Sequence, residues 1–274
     1  MALADYATAI ELNPELFQAY YNRGRLYAEL GQPDKALVDF TTVINHDPQF
    51  VSGYFHRGLI YNQLGQPEEA IAEYTKVIEL DPQDTRAYNN RGVTYTNDGQ
   101  PDQALADFTQ AIKLDPDYAG SYINRGILYE NYGQPDEAIA DYTTAIELNP
   151  QDVEAYTKRG LLYADLGQFD KAIADYNQVI KLNPQDATAY NNRGSFYANQ
   201  LKFDQALADY TRAIKLDPQD ATAYSNRGSM YEIQNQPEQA LADYRRVLEL
   251  VDESSELGQE AQAWIAKLTT TPQP

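Results

Sequence analysis

Residues 17–50 read FQAYYNRGRLYAELGQPDKALVDFTTVINHDPQF. The letters GQPD at residues 31–34 separate two amphipathic segments, 17–30 and 34–46, because glycine favours the end of one helix and Pro-Asp favours the beginning of the next. Asp47 precedes a proline, which disfavours helical backbone there and ends the second segment. The stretch therefore predicts two α-helices joined by a tight turn.

Each predicted helix has one apolar face. In the first helix, Tyr20, Gly24 and Tyr27 follow the i, i+4, i+7 spacing, and Ala36 and Phe40 begin the same pattern in the second. A glycine inside a helix costs about 1 kcal/mol relative to alanine, so its presence here needs a packing reason. We expect the small residues to mark a close crossing of the two helices, with the aromatic side chains filling the space around it.

The whole pattern recurs seven times at intervals of 34 residues, without a gap, in units predicted to begin at residues 17, 51, 85, 119, 153, 187 and 221. Each helix glycine has a tyrosine four residues before it and another three residues after it, and an aromatic residue sixteen residues after it. Such a period indicates that each unit buries its apolar face against its neighbours. The helix glycines are Gly24, Gly58, Gly92, Gly126, Gly160, Gly194 and Gly228.

These features resemble the tetratricopeptide repeat, with tyrosine in place of the usual tryptophan at the first aromatic position. The resemblance covers roughly residues 1–252. It implies an all-α fold, a right-handed superhelical solenoid of antiparallel helix pairs. No linker interrupts the repeats, so we predict a single solenoid domain over residues 1–268.

The two ends depart from the repeat. Residues 1–16 match only the second half of a unit, so the first helix exposes an apolar face. Either a longer protein supplies the missing partner helix, or another copy of this chain covers that face, forming a homo-oligomer. Residues 254–268 resemble the family's capping helix, with Trp264 as a packing residue, and residues 269–274 are predicted to be a flexible tail.

Composition narrows the possible functions. A formal charge of −20 argues against nucleic acid as a partner, and no apolar run is long enough to insert in a membrane. The chain has no cysteine and only two histidines, without clustered carboxylates, so no metal site or cofactor is predicted. No signal peptide is recognisable, which favours a cytoplasmic location without establishing it.

No catalytic motif is present, and the carboxylates recur with the repeat as a solvated face would. We therefore predict that the chain is not an enzyme.

Arginine precedes each helix glycine, and an acidic residue follows sixteen positions after each arginine. An antiparallel helix pair could join them in a ladder of partly buried ion pairs; the alternative is that the arginines bind an anionic ligand. The pairs are Arg23 and Asp39, Arg57 and Glu73, Arg91 and Asp107, Arg125 and Asp141, Arg159 and Asp175, Arg193 and Asp209, and Arg227 and Asp243.

The residue before each arginine is the main candidate for ligand binding. In tetratricopeptide proteins this position faces the concave groove, and an asparagine there contacts a peptide backbone or its terminal carboxylate. An amide both donates and accepts hydrogen bonds, so it can pair with any peptide bond. The row resembles the asparagine ladder of O-linked N-acetylglucosamine transferases. The residues are Asn22, His56, Asn90, Asn124, Lys158, Asn192 and Asn226.

Neighbouring positions vary between units, as specificity positions would. The N-terminal units offer aromatic and apolar groups there, and the other units offer mostly polar ones. Arg86 and Lys158 are candidates for the family's carboxylate clamp, but their neighbours do not reproduce it. The additional candidate peptide-binding residues are Tyr21, Phe55, Asn89, Asn191, Asn97 and Asn131.

The sequence thus predicts a module that binds a peptide segment of a partner protein in its concave groove. Two alternatives stay open. The chain could be a structural scaffold that self-associates through its N-terminal half unit, or the substrate-recruiting arm of a larger enzyme such as an O-linked sugar transferase.

Overall fold

The fold is described from a computed structural model, which covers residues 2–270, with the side chain of Thr270 excepted. Within that range the chain forms sixteen α-helices and no strand. The first nine are α1 (Ala2–Leu12), α2 (Phe17–Glu29), α3 (Pro33–His46), α4 (Val51–Gln63), α5 (Pro67–Leu80), α6 (Thr85–Asn97), α7 (Pro101–Leu114), α8 (Ala119–Asn131) and α9 (Pro135–Leu148). The others are α10 (Val153–Asp165), α11 (Phe169–Leu182), α12 (Ala187–Asn199), α13 (Phe203–Leu216), α14 (Ala221–Ile233), α15 (Pro237–Leu250) and α16 (Glu256–Thr270).

The helices fall into two compact units, the first extending through Leu148 and the second beginning at Asn149. The first unit holds α1 and four antiparallel pairs, and the second holds three pairs and α16. Within each unit a first helix packs on the second helix of its own repeat, and that second helix packs on the next first helix. The predicted all-α repeat architecture is confirmed, whereas the single continuous solenoid stays a prediction.

The turn between paired helices depends on one residue with positive φ. Gly31, Gly65, Gly99, Gly133 and Gly167 have φ between +67° and +71°, a region that glycine enters without steric cost. The second helix then begins at a proline in five repeats, at α3, α5, α7, α9 and α15. In the last two repeats Leu201 and Asn235 hold the same conformation, at φ +58° and +56°.

The crossing of paired helices is as close as the small residues predict. A Cβ atom added to Gly92 would lie 2.7 Å from Cε1 of Phe108, whose side chain is almost completely buried. The same relationship joins each helix glycine to the aromatic residue sixteen positions later. The glycine is therefore required by packing, which accounts for its cost inside a helix.

The two terminal helices differ in how well they are covered. No residue of α1 is buried, although the helix packs on α2. In α16, Ala261 is fully buried and the Trp264 ring lies 4.8 Å from the Tyr244 ring, centroid to centroid, so Trp264 has the predicted packing role. The cap was predicted at residues 254–268, and α16 covers Glu256–Thr270, which includes Thr269 of the predicted tail. Residues 271–274 of the predicted tail lie outside the described residues.

Candidate functional site

The predicted binding residues all lie on first helices. Within the first unit α2 touches α4 and α6 touches α8, and within the second α12 touches α14. We call the side of these helices that carries the asparagine position the first-helix surface; it is defined by Asn22, His56, Asn90 and Asn124 in the first unit and by Lys158, Asn192 and Asn226 in the second. All seven side chains are partly buried. Of the neighbouring candidates, Phe55, Asn89 and Asn191 are buried, Tyr21 is partly buried, and Asn97 and Asn131 are exposed at the ends of their helices.

The asparagines form hydrogen-bonded pairs between adjacent repeats. Asn124 donates from Nδ2 to Oδ1 of Asn89 at 3.1 Å, and Ser121 also donates to that oxygen at 3.3 Å. In the second unit Asn226 donates to Oδ1 of Asn191, again at 3.1 Å. The side-chain oxygens of Asn124 and Asn226 receive no hydrogen bond from the described residues. Each pair therefore fixes one amide and leaves its acceptor available.

The other amides of the row have different partners. Asn90 donates to the carbonyl oxygen of Arg86 at 2.8 Å, one turn earlier in the same helix. Asn192 donates to the hydroxyl of Tyr176 at 3.0 Å. The predicted ladder is thus a series of unlike contacts, and part of its hydrogen-bonding capacity is used within the protein. Binding by this row stays a prediction.

An aromatic cluster occupies the first-helix surface of the first two repeats. The His56 ring lies 5.3 Å from Tyr21 and 5.7 Å from Phe55, nearly perpendicular to both. Phe50 packs edge-on against Tyr21 at 5.1 Å and against Phe17 at 5.7 Å. Edge-to-face pairs at these separations are favourable contacts between aromatic rings. The cluster therefore joins rings of α2, the ring of Phe50 just before α4, and rings of α4 itself.

The imidazole of His56 is held in one orientation. Its Nδ1 lies 2.9 Å from the carbonyl oxygen of Ser52, and a carbonyl can only accept, so Nδ1 carries the hydrogen. Burial lowers the pKa of His56; the hydrogen bond to Ser52 opposes this, and the charges of Arg25 and Arg86 lower the pKa further. The ring is therefore neutral near pH 7.

The arginine ladder is confirmed as a set of ion pairs within the repeats. Arg125 donates from Nε and Nη2 to the two carboxylate oxygens of Asp141, both at 2.8 Å, and its guanidinium lies between the rings of Tyr122 and Tyr129 at 5.9 and 5.8 Å. The hydrogen bond with Asp141 raises the pKa of Arg125, although burial opposes this. Six repeats have this forked geometry. Because each of these arginines is paired with an acidic residue of its own repeat, the structure does not support the alternative that they bind an anionic ligand.

The ladder also joins neighbouring repeats, which sequence reasoning did not find. Arg91 donates from Nη1 to the hydroxyl of Thr75, in the second helix of the preceding repeat, at 2.9 Å. Arg57 does the same to Thr41 at 3.1 Å and Arg193 to Asn177 at 2.7 Å. The signal was available, because a residue able to accept a hydrogen bond lies sixteen positions before these arginines.

One of the seven ion pairs, between Arg57 and Glu73, is incomplete. Arg57 and Glu73 share a single hydrogen bond of 2.7 Å, from Nη2 to Oε1. Arg57 Nε and Glu73 Oε2 are buried and have no partner among the described residues. The longer glutamate side chain, present only in this repeat, accounts for the loss of the forked pair.

Two arginines of the first-helix surface contact the aromatic cluster. Sequence analysis considered Arg86 only for the carboxylate clamp and assigned no role to Arg25. Arg86 lies over the Phe55 ring at 4.7 Å, and Arg25 lies 6.0 Å from the centre of the Tyr21 ring. Both break the repeat: no other unit has a basic residue at either position. A departure from an otherwise regular period is the signal that would have identified them.

Residues 2–270 lack two other kinds of site. No group of three or more histidine, aspartate or glutamate side chains is placed to hold a metal ion. No helix in this range combines the length and apolar character that a membrane span requires.

Comparison with protein families gives matches along the whole repeat region. The family described as tetratricopeptide repeat matches residues 17–50, 85–118, 119–152, 187–220 and 221–251. A related family, described as TPR repeat, matches residues 1–31, 58–99 and 160–200, and a third, again a tetratricopeptide repeat, matches 141–174. Among curated proteins no match was found.

Solved structures with the same fold include several repeat proteins. A tetratricopeptide repeat protein from Parabacteroides merdae is 21% identical, covers 93% of this chain and 99% of its own, and has a TM-score of 0.62. YrrB, described as a TPR protein with an unusual peptide-binding site, is 27% identical over 67% of this chain and 95% of its own, with a TM-score of 0.55. MamA is 27% identical over 60% of this chain and 96% of its own, with a TM-score of 0.54.

Proposed function

Since this chain belongs to the tetratricopeptide repeat family and has the architecture of a protein–protein interaction module, we propose that it binds an extended peptide segment of a partner on its first-helix surface. The observation that carries the proposal is the paired amides, which hold the acceptor oxygens of Asn124 and Asn226 in place without a donor of their own. Fixed acceptors suit the N–H groups of a peptide backbone, whatever its side chains. The peptide-binding site in the description of YrrB supports the same reading.

An apolar row beside the amides supports the proposal. Leu59, Val93 and Ile127 each lie three residues after the asparagine position, on the same side of α4, α6 and α8. Leu59 is 37% exposed, and the other two are partly exposed. An extended peptide would place apolar side chains on this row while its backbone meets the amides. Burial of such groups supplies most of the affinity, and the amides supply orientation.

The proposed role is not catalytic. The seven acids of the ladder are each paired with an arginine, and six of them are buried aspartates. A general base needs a free carboxylate or imidazole within reach of a substrate, whereas His56 is fixed by Ser52 and surrounded by rings. The recruiting arm of a larger enzyme stays a hypothesis.

Self-association is a second candidate, and one observation favours it. A cavity of about 230 Å³ opens between α1 and α2, lined in part by Ala2, Tyr6 and Leu26. Tyr6 is only partly buried, whereas Phe40, which has the same position in the next repeat, is 0% exposed. Another copy could cover this face, which sedimentation at increasing concentration would show as a rise in mass.

The proposal is tested by affinity capture from a cell lysate with two matched double variants. Asn90→Ala with Asn124→Ala removes amides from the first-helix surface, and Gln103→Ala with Gln239→Ala removes exposed amides from second helices. We expect the partner captured by the parent chain to be lost with the first variant and kept with the second, at equal helicity. Equal capture by both variants would show that the partner does not depend on the amides of the first-helix surface.

A further inference from the structure

The apolar row of the first-helix surface gives way to serine in the last two repeats. The position three residues after the asparagine is apolar in four successive repeats, from Leu59 to Leu161, and is Ser195 in α12 and Ser229 in α14. These two helices touch, and each serine lies one turn after an asparagine on the same side of its helix. We call Asn192, Ser195, Asn226 and Ser229 the polar patch.

The hydroxyl hydrogens of both serines are used within the protein. Ser195 donates from Oγ to the carbonyl oxygen of Asn191 at 3.1 Å and accepts from the hydroxyl of Tyr210 at 3.2 Å. Ser229 likewise donates to the carbonyl oxygen of Ser225 at 3.1 Å. A hydroxyl has one hydrogen and two lone pairs, so each serine can still accept a hydrogen bond from a ligand and has none to donate.

The two amides of the patch are oriented in the same sense. Asn192 donates from Nδ2 to the hydroxyl of Tyr176 at 3.0 Å, and Asn226 donates from Nδ2 to Oδ1 of Asn191 at 3.1 Å. In both, the nitrogen is held toward the protein, and the oxygen receives no hydrogen bond from residues 2–270. All four side chains are partly exposed. The patch therefore offers a ligand more acceptors than donors.

The positive charges on α12 and α14 are already paired. The only basic residue in each of these helices is an arginine of the ion-pair ladder, Arg193 or Arg227, and each donates two hydrogen bonds to its own aspartate. Lys267, which reaches α14 from α16, pairs with Glu232. A basic ligand group therefore meets no uncompensated cation of these two helices. Three other first helices carry an additional basic residue on their surface: Arg25, Arg86 and Lys158.

We propose that the polar patch selects a basic peptide segment, with a lysine or arginine side chain donating hydrogen bonds to the oxygens of the patch. The inference rests on the proposed function and adds the chemical class of the partner. Ammonium and guanidinium groups have several donors and no acceptor, so they match a surface rich in acceptors. A carboxylate side chain can only accept, and it finds few donors here. Ser195 and Ser229 are then the residues that determine specificity, because the corresponding positions of four other repeats are apolar.

The charge of the whole chain acts in the same direction. A net charge of −20 attracts basic segments at long range and raises the rate at which they meet the protein. At physiological ionic strength this attraction is screened over about 8 Å, whereas hydrogen bonds at the patch are direct contacts. The overall charge therefore favours encounter with basic segments, and the patch decides which of them is retained.

Three matched peptide libraries test the proposal with the full chain at physiological ionic strength. Each is randomised among apolar residues at alternating positions and is acetylated and amidated at its ends. The intervening positions hold lysine, acetyl-lysine or glutamate; acetyl-lysine keeps one N–H group and loses the charge. We expect the lysine library to be retained about tenfold better than the acetyl-lysine library, as a charge-assisted hydrogen bond requires, and the glutamate library to be retained least.

A double variant tests the patch itself. Ser195→Val with Tyr210→Phe gives the sixth repeat the residues that the third repeat has at these positions, Val93 and Phe108. Removing both hydroxyls leaves neither without its partner, and the net charge of the chain does not change. We expect the preference for lysine to fall to about twofold or less. The control Tyr210→Phe keeps the Ser195 acceptor and should keep the full preference, at equal helicity.

The outcomes separate this inference from the proposed function. A preference for lysine that persists undiminished in the double variant would assign it to the overall charge and overturn the role of the patch. Equal retention of the lysine and acetyl-lysine libraries, or a preference for glutamate, would overturn the basic selection and leave peptide binding in place. No retention of any library would overturn both.

Discussion

Arg125 and Asp141 meet through two hydrogen bonds of 2.8 Å that join a first helix to the second helix of the same repeat. The carboxylate is buried and the guanidinium is 18% exposed, between two tyrosine rings. Removing one partner leaves the other charge buried without compensation, which is far more costly than removing both.

A double-mutant cycle on this pair therefore has a definite expected result. Arg125→Gln and Asp141→Asn should each lower the free energy of unfolding by about 3 kcal/mol. The double variant should lose clearly less than the sum, with a coupling of at least about 1 kcal/mol. Chemical denaturation measures all three, and strictly additive losses would show that the two groups do not act as a pair.

The incomplete ion pair of Arg57 and Glu73 predicts a substitution that increases stability. Replacing Glu73→Asp should restore the forked pair and give Arg57 Nε and the second carboxylate oxygen their missing bonds. We expect the free energy of unfolding to rise by about 1 kcal/mol. The matched control is Asp107→Glu in the next repeat, which should produce the opposite change. A loss of stability in Glu73→Asp would mean that the surrounding helices have adapted to the longer side chain.

The turn at Leu201 predicts a second substitution that increases stability. This residue is 74% exposed and has φ +58°, which costs an L-residue roughly 1–2 kcal/mol. Glycine removes that cost but adds up to about 1 kcal/mol of chain entropy to the unfolded state. Leu201→Gly should therefore raise the free energy of unfolding by about 0.5 kcal/mol.

Asn235 supplies the control for the turn, because asparagine tolerates positive φ better than leucine. Asn235→Gly should give no gain, or a small loss. The two variants are compared by their denaturation midpoints in urea. An Asn235→Gly gain equal to that of Leu201→Gly would contradict the assignment of strain to Leu201.

His56 makes stability depend on pH. Its pKa is lower in the folded state than the value of about 6.5 in an unfolded chain, so the unfolded state binds more protons. The contribution of the neutral ring is complete above that value and is lost as pH falls from about 6.5 through the lower folded pKa. The variant His56→Asn carries the residue that five other repeats have at this position. Between pH 7.5 and 5.5, its free energy of unfolding should fall by less than that of the parent chain.

The comparison is specific because His46, the other histidine, is present in both proteins. Unfolding curves at intermediate pH values give the slope directly. Identical slopes for the parent chain and His56→Asn would show that the ring titrates normally.

Sequence reasoning predicted the helix pairs and their crossings because these contacts are local and repeated. Gly92 and Phe108 are sixteen residues apart on consecutive helices, and seven copies of the relationship reduce ambiguity. It did not predict that Asn124 would pair with Asn89, because that bond depends on how one repeat is placed on the next, which residue spacing does not determine. Thr269 was assigned to the tail, yet its hydroxyl donates a hydrogen bond to the carbonyl of Ile265 within α16.

The positions of Arg25 and Arg86 beside the aromatic cluster were not predicted either. They lie two repeats apart in the sequence, and each guanidinium lies against a different ring of the aromatic cluster, Arg25 against Tyr21 and Arg86 against Phe55.

The central claim, that a partner peptide lies on the first-helix surface, is tested most directly by site-specific photocross-linking. A photoreactive phenylalanine analogue is placed either at Val93, on the first-helix surface, or at Val38, which is 65% exposed on the second helix α3. With a partner in hand from affinity capture, we expect a covalent product from position 93 and none from position 38. A product from position 38 alone would contradict the account, because it would place the partner on the second helices.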